Sequence, residues 1–277
     1  TVDGGAGLGQ PVAHSTMRKV LDKAEDYNVA FASVRNSNHY GIAGYYSMMA
    51  LERDMIGISM TNSAPLVVPT FAKNAYLGTN PVSLAVPAGA RRPVVLDMAT
   101  STVPRGKLEV YNRQGKKLPD NWATDEEGVP TSDGTAVLVN MLERKGGGLL
   151  PLGGSAEETG GHKGYGLSFM VDILSGVLSA GAFGTGIYGQ PGAPPNVCHF
   201  LGAMRIDAFR EPGEFKGDMD RFIDELKGLE KRDGAERIYV HGEKEWESWD
   251  AQAEKVRLYH KVHEDLLDLG DSLGVEL

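Results

Sequence analysis

Hydrophobic positions along the chain alternate between helical and strand spacing. Met17, Val20, Leu21 and Ala24 fall at i, i+3, i+4 and i+7, so residues 14–27 are expected to form a helix with one buried face. Ile42, Tyr45, Tyr46 and Met49 repeat that spacing and predict a second helix over 41–53. Short apolar runs at 29–34 and 56–60 read as strands, the second ending in a polar-to-proline break at 62–65. The middle changes style. Runs at 81–86 and 93–96 flank a turn at 88–92, a strand–turn–strand unit that 108–111 and a turn at 113–116 are expected to continue. Residues 119–134, rich in Pro, Asp, Glu and Gly, read as an extended surface excursion. Leu167, Met170, Val171, Leu174, Val177 and Leu178 make a wide apolar stripe, which predicts a helix over 164–179 stopped at Gly181. A glycine-rich connector or lid follows at 184–195. Beyond it come a strand over 203–209, an amphipathic helix over 216–229, a short apolar run at 238–240 and a long charge-laced helix over 246–269. No internal repeat occurs. The mixture is α/β with mixed α+β character, without a clean series of parallel βαβ units.

The 277 residues suffice for one large domain or two modest ones, with a core that needs no disulfide or metal. A net charge of −9 disfavours nucleic acid and anionic membrane as partners. No stretch approaches 18 uninterrupted apolar residues, which excludes a membrane-spanning helix. A single cysteine, Cys198, cannot form an intrachain disulfide, and the start TVDGGAGLG lacks the features of a signal peptide. The expected location is cytoplasmic.

Several polar, glycine-bearing patches are candidates for chemistry. Gly7 and Gly9 approximate a dinucleotide fingerprint, but Val12 stands where a small residue is required and no strand precedes, so a Rossmann turn is rejected. Asn36-Ser-Asn-His-Tyr-Gly41 falls between a strand and a helix. It sets a titratable imidazole, His39, among polar neighbours, and an imidazole near neutral pH can exchange the proton that carbonyl–alcohol chemistry requires. Leu77-Gly-Thr-Asn-Pro81 and Leu96-Asp-Met-Ala-Thr-Ser101, with Arg105-Gly-Lys107 just beyond, are polar segments next to apolar strands. Either could equally be an ordinary turn. Gly160-Gly-His-Lys-Gly164 opens a helix and offers N–H groups and Lys163 as an anion cradle, without Walker spacing. His260, His263 and Glu264 lie in a run of alternating charge and read as a solvated helix face; Glu157, Glu158 and His162 are no better as ligands, so no metal is expected.

In combination these patches resemble one family, the type-2 malate/L-lactate dehydrogenases, which also include ureidoglycolate and sulfolactate dehydrogenases. The resemblance rests on six segments in the family's order: residues 34–46, Met60-Thr-Asn-Ser63, Leu77-Gly-Thr-Asn-Pro81, Leu96-Asp-Met-Ala-Thr-Ser101, Arg105-Gly-Lys107 and Gly161-His-Lys-Gly-Tyr-Gly-Leu167. It implies a non-Rossmann dinucleotide-binding fold with a mixed, largely antiparallel sheet, and a homodimer. It also implies oxidoreduction between a small 2-hydroxy acid, such as malate or lactate, and its 2-keto acid, using NAD or NADP. By position His39 matches the catalytic proton acceptor. Ser63, Asp97, Met98, Ala99, Thr100, His162 and Lys163 match cofactor contacts, and 237–243 matches a C-terminal one. A cation should hold the substrate carboxylate, and Lys107 is the candidate.

The expected division is 1–60 as helix–strand part of a substrate and dimer domain, 61–185 as the NAD(P)-binding domain, and 186–277 returning to the first. Family members carry upstream a Ser-His-Gly segment and a nearby arginine that help form the substrate site. The sequence starts downstream of them without an initiator methionine, and the segment is expected to be missing from it rather than lost in nature. Two alternatives stand beside the dehydrogenase: a cyclic-imine-2-carboxylate reductase using the same hydride donor, and a non-catalytic dimer-forming fragment.

Overall fold

The computed structural model describes residues 1–189, 192–252, 258 and 260–275. Its main sheet has six strands in the order β1-β2-β8-β3-β4-β5. These are β1 (Val2–Asp3), β2 (Val29–Ser37), β8 (Val197–Arg205), β3 (Met55–Thr61), β4 (Val82–Val86) and β5 (Val94–Met98). Only the β1–β2 pair is parallel; every other neighbour is antiparallel. The largely antiparallel, non-Rossmann sheet expected from the resemblance is therefore present. Its central strand comes from the far end of the chain: β8 pairs with β2 on one side and β3 on the other.

Helix α1 (Gly9–Tyr27) and the short α2 (Ala43–Met48) cover one face. Met17, Val20, Leu21 and Ala24, the residues of the predicted stripe, pack there with Tyr40, Tyr46, Met55, Leu201 and Ala203. The predicted helix over 41–53 is interrupted after Met48 and resumes as a single 3-10 turn, Leu51–Arg53. The tight packing shows at Gly57 of β3, where an added Cβ would lie 2.0 Å from the Ser47 carbonyl oxygen.

A second core gathers Val67, Leu77, Val103, Leu108, Leu118, Ala123, Val137 and Leu149. Around it lie α3 (Arg105–Arg113), α4 (Gly134–Glu143) and the two-stranded β6–β7 ribbon (Ala123–Thr124 with Gly148–Leu149). Two expectations are corrected here. Residues 108–111 are helical, not a strand: Pro104 precedes the first turn, Leu108 is fully buried, and Tyr111 packs beside it three residues on. The 119–134 segment is no purely surface excursion, since Ala123 and Thr124 are buried in the ribbon.

Helix α5 (Gly161–Asp172), continued by a π turn at Ile173–Val177, covers the opposite face of the sheet and reverses the predicted stripe. Ser33 Oγ donates to the Leu174 and Ser175 carbonyls at 3.0 and 3.2 Å. The buried side is Gly161, Gly164, Ser168, Val171, Asp172, Ser175 and Gly176. Leu167, Met170, Val177 and Leu178 are 46–58% exposed. The reason is close approach. A Cβ on Gly164 would meet the Leu152 backbone at 2.3 Å, and Asp172 accepts from Asn62 Nδ2 at 2.9 Å. Small and hydrogen-bonding residues win the inner face because only they let the helix sit that near.

The 184–195 connector is anchored by Ile187, which is fully buried, while residues 190 and 191 lie outside the described ones. The strand expected over 203–209 instead begins at Val197 and ends at Arg205, and Phe209 is exposed. Covered on both faces, β8 shows none of the alternation a half-buried strand would. Helix α6 (Pro212–Gly228) spans the amphipathic segment, and its Asp220 accepts from the N–H groups of Gly89, Ala90 and Arg91, clasping the predicted 88–92 turn. The terminal helix expected over 246–269 is described as two pieces, α7 (Glu243–Gln252) and α8 (His260–Leu273); residues 253–257 and 259 of it lie outside the described ones.

Gly57→Ala should cost about 3 kcal/mol, the upper range for overpacking, because both facing groups belong to regular elements. Urea unfolding of the two proteins measures it.

Candidate active site

Strand β2 ends at Ser37, and the chain turns through Asn38, His39 and Gly41 into α2. The turn is fixed from the N-terminal glycine cluster. Asn38 Nδ2 donates to the Ala6 and Gly7 carbonyls, each at 2.9 Å, and a Cβ on Gly9 would lie 2.2 Å from the Asn38 oxygen and 2.5 Å from that of His39. The segment rejected as a dinucleotide fingerprint is thus a backbone clamp on the candidate base. The His39 side chain is exposed, and its Nδ1 accepts from the Gly41 N–H at 3.1 Å. A neutral ring with Nδ1 as acceptor carries its proton on Nε2.

A buried aromatic stack lies beneath. Tyr46, Tyr40 and His199 stack successively, with centroids 4.6 and 4.4 Å apart. Tyr46 donates to the Tyr40 carbonyl at 2.5 Å, and Tyr40 Oη pairs with Ser59 Oγ at 3.0 Å. Burial pushes the Tyr40 phenol well above its usual range and that of Tyr46 up to about 12. His199 is fully buried between Thr61 Oγ1 (2.8 Å from Nδ1) and Ser37 Oγ (2.9 Å from Nε2). Burial, with nearby His39 disfavouring a second positive charge, holds His199 down at about 3. Nothing in the sequence marks His199: it lies 160 residues from His39, inside an apolar run, and no local pattern joins the two.

The predicted cofactor residues form a connected series. Asp97, on β5, accepts from the Gly44 N–H at 2.6 Å, five residues beyond His39. Burial raises its carboxyl above the ordinary range, Gly44 opposes, and Glu245 adds repulsion. Met98 ends β5 and Ala99 leads into Thr100, whose Oγ1 donates to the Thr79 and Asn80 carbonyls at 3.1 and 3.0 Å. Ser63 Oγ accepts from Thr79 N–H at 3.0 Å, and its own N–H donates to Asn80 Oδ1 at 3.1 Å. Leu152 N–H, beside which Gly164 packs, donates to the Thr100 carbonyl at 2.9 Å. The three family segments around Ser63, Thr100 and the start of α5 are therefore neighbours. His162 and Lys163 are exposed in the first turn of α5. Lys107 is exposed in the first turn of α3, and no ion pair or hydrogen bond ties its side chain to another of these residues.

Asp97 also lines a cleft of about 630 Å³ that reaches from α2 to the C-terminal segment. The His241 carbonyl accepts from Val95 N–H at 3.1 Å, so the 237–243 segment lies along the free edge of β5 and walls the cleft. Tyr239, Lys244, Trp246 and Trp249 line it as well. Lys244 Nζ lies 4.3 Å over the Tyr239 ring, and Trp246 Nε1 donates to the Pro93 carbonyl at 3.0 Å. Tyr239 belongs to the 237–243 segment that the resemblance implied, whereas Lys244, Trp246 and Trp249 lie just beyond it and were not among the expected site residues. The interleaved aromatic and basic residues of 237–249 were the available signal. Among the described residues no group of three or more His, Cys, Asp or Glu is arranged to hold a metal. His260 instead pairs with Glu264 on α8 at 3.3 Å.

A mostly antiparallel sheet with an aromatic-walled cleft at its β5 edge defines a non-Rossmann architecture. A family model described as malate/L-lactate dehydrogenase matches residues 1–267. The chain belongs to that family and is a 2-hydroxy-acid dehydrogenase. It is 46% identical to the malate dehydrogenase of Pyrococcus abyssi over 276 residues, 99% of this chain and 74% of that protein. It is 36% identical to the malate/(S)-sulfolactate dehydrogenase of Methanothermus fervidus over 280 residues, covering all of this chain and 76% of the relative. The crystal structure of Entamoeba histolytica malate dehydrogenase superposes with a TM-score of 0.93 at 36% identity, over 100% of this chain and 77% of that one.

The burial of His199 has a pH signature. Its pKa is depressed in the folded state, so the unfolded chain binds the extra proton, and stability is lost as pH falls from about 6.5 towards 3 at up to ~1.4 kcal/mol per pH unit. The raised carboxyls of Asp97 and Asp172 act with opposite sign, being destabilising as they ionise. His199→Gln should therefore flatten the acid limb relative to wild type, as read from unfolding curves at a series of pH values between 4 and 7.

Proposed function

We propose that the chain reversibly converts a malate-class 2-hydroxy acid to its 2-keto acid, with His39 exchanging the hydroxyl proton. The observation that carries this is His39 itself, an accessible imidazole clamped at a strand end, on the loop that leads into α2, whose Gly44 N–H donates to Asp97 at the cleft. The cleft suits a nicotinamide dinucleotide. Its aromatic walls can take flat rings, and Lys244, in no ion pair among the described residues, offers a cation for a diphosphate. Asp97, Met98, Ala99, Thr100, Ser63, His162 and Lys163 would hold that cofactor, NAD or NADP, and Lys107 the substrate carboxylate.

When bound, a nicotinamide cofactor would supply the hydride donor or acceptor for C2 of the substrate. His39 then has one task, moving a proton at the C2 oxygen. Accepting it at Nε2 requires the tautomer with its proton on Nδ1, and donating it requires the imidazolium. Neither form has an Nδ1 lone pair for Gly41, so the 3.1 Å contact opens when substrate docks.

The proposed assembly is a homodimer. The outward apolar residues of α5 and its π turn, Leu167, Met170, Val177 and Leu178, make a face suited to a second copy. We assign the first core to a substrate and dimer domain and the second, within 61–185, to the cofactor domain, with 186–277 returning to the first. The lone free cysteine, Cys198, fits a reducing compartment, and the cytoplasm is the proposed location.

An absorbance assay with NADH or NADPH and a panel of 2-keto acids tests the reaction. His39→Ala should lower kcat roughly a hundredfold or more, as expected for loss of a general acid–base group. An unchanged rate would remove His39 from the chemistry, and turnover confined to a cyclic-imine 2-carboxylate would make the enzyme an imine reductase. For the assembly, Met170→Glu combined with Leu178→Glu should convert a dimer to a monomer in light scattering, with unfolding midpoint measured alongside.

A further inference from the structure

Strand β8 carries a buried imidazole, His199, that the proton transfer above leaves unused. His199 stands directly opposite Thr61 in the β3–β8 ladder and is fully buried, with both ring nitrogens engaged. Its tautomer follows from the count of hydrogens. Thr61 Oγ1 has a single hydrogen and lies within donating distance of two carbonyls, Asn62 at 2.9 Å and Cys198 at 3.0 Å. With its proton committed there, the hydroxyl accepts from His199 Nδ1–H. Nε2 is then bare and accepts the hydroxyl proton of Ser37. A chain of fixed direction results: Ser37 donates to His199, His199 to Thr61, and Thr61 to the backbone.

The partners of this ring bracket His39 in the sequence. Ser37 lies two residues before it, and Tyr40, stacked on the His199 ring with planes 3° apart, comes immediately after. Asn38 is tied separately to the Ala6 and Gly7 carbonyls. His39 is thus a single unpacked side chain between two anchored residues, and His199 holds both anchors. An apolar side chain of the same shape would fill the space without desolvating an imidazole and two hydroxyls. What an imidazole adds is direction, a hydrogen bond on each side at a fixed angle.

We infer that His199 is a positioning residue for His39, setting the turn on which the proton-exchanging imidazole stands through Ser37 on one side and Tyr40 on the other. The inference rests on the assignment of His39 as the proton-exchanging group. His199 touches neither the C2 oxygen nor the cofactor in this arrangement. Its loss should slow the step that depends on His39 and leave binding unchanged.

Three histidine variants of the full chain, His39→Gln, His199→Gln and His199→Phe, together with Ser37→Ala, test it. The readouts are NADH-dependent reduction of oxaloacetate, NADH fluorescence titration and urea unfolding. His199→Phe keeps the stack on Tyr40 but accepts nothing from Ser37. It should lower kcat about tenfold or more while KM and the NADH Kd stay within about twofold of wild type. His199→Gln, which can donate to Thr61 and accept from Ser37, should recover most of that loss. Equal kcat in wild type and His199→Phe overturns the inference, as does a parallel decline of kcat, KM and NADH affinity, or a His199→Gln no better than His199→Phe. Should His199→Phe not fold, Ser37→Ala decides, removing one hydroxyl: a several-fold drop in kcat supports the role, and an unchanged kcat ends it. Wild-type turnover in His39→Gln would instead bring down the assignment of His39, a distinct result. Independently of activity, the histidine ring 15N spectrum at neutral pH should show His199 protonated on Nδ1, and a proton on Nε2 would refute the hydrogen-bond direction on which the inference stands.

Discussion

The insertion of β8 between β2 and β3 is the constraint on which the rest of the molecule depends. Nine residues from the last third of the chain pair along both edges with strands from the first quarter. Seven of them, Val197 to Ala203, are buried, and the two faces serve different neighbours. Leu201 and Ala203 join the core under α1 and α2, while Phe200 stacks on Phe31 at 5.3 Å on the opposite side. The loops that bear His39 and Ser63 begin where β2 and β3 leave this ladder. A shift of β8 by one residue would exchange its faces, removing His199 from Ser37 and Thr61 and placing Cys198 or Phe200 there, according to its direction.

Close backbone approach is the second organising device. Gly9 lets α1 start against the carbonyls of Asn38 and His39, and Gly164 lets α5 lie on Leu152. Both contacts bring a polar loop and a helix start to the same neighbourhood, and both use the absence of a Cβ to do so. The consequence for α5 is the outward turn of its large apolar side chains. A helix held to the sheet by glycines, serines and Asp172 has its Leu and Met residues left for a different surface.

The charged and aromatic parts of the site are separated in a way that suits the chemistry. The aromatic-walled cleft and Lys244 lie at the β5 edge, bounded by Asp97, whose carboxyl is raised by burial and by Glu245. The imidazole of His39 stands on the loop before α2, whose Gly44 N–H donates to Asp97, next to a buried layer of Tyr46, Tyr40 and His199 whose ionisations are pushed away from neutrality. The His39 ring, by contrast, is exposed and open to a docked substrate, which suits a group that must exchange a proton.

How much of this was legible in the sequence depends on how locally each feature is encoded. The face of α1, the strands β2 to β5, the His39 loop and the family membership all rest on residues close together in the chain, where spacing or motif order carries the signal. Pro104 and the Leu108–Tyr111 pair mark α3 less plainly, since a short apolar run fits either period. What only the tertiary structure decided involves partners far apart. The choice of inner face on α5 was set by how near its glycines could approach Leu152, not by hydrophobicity. The start of β8 was hidden because burial on both faces erases alternation. The pairing of His199 with Ser37 and Thr61 joins three strands that meet only once the chain has folded, and no periodicity within any one of them records which side chain will lie opposite another.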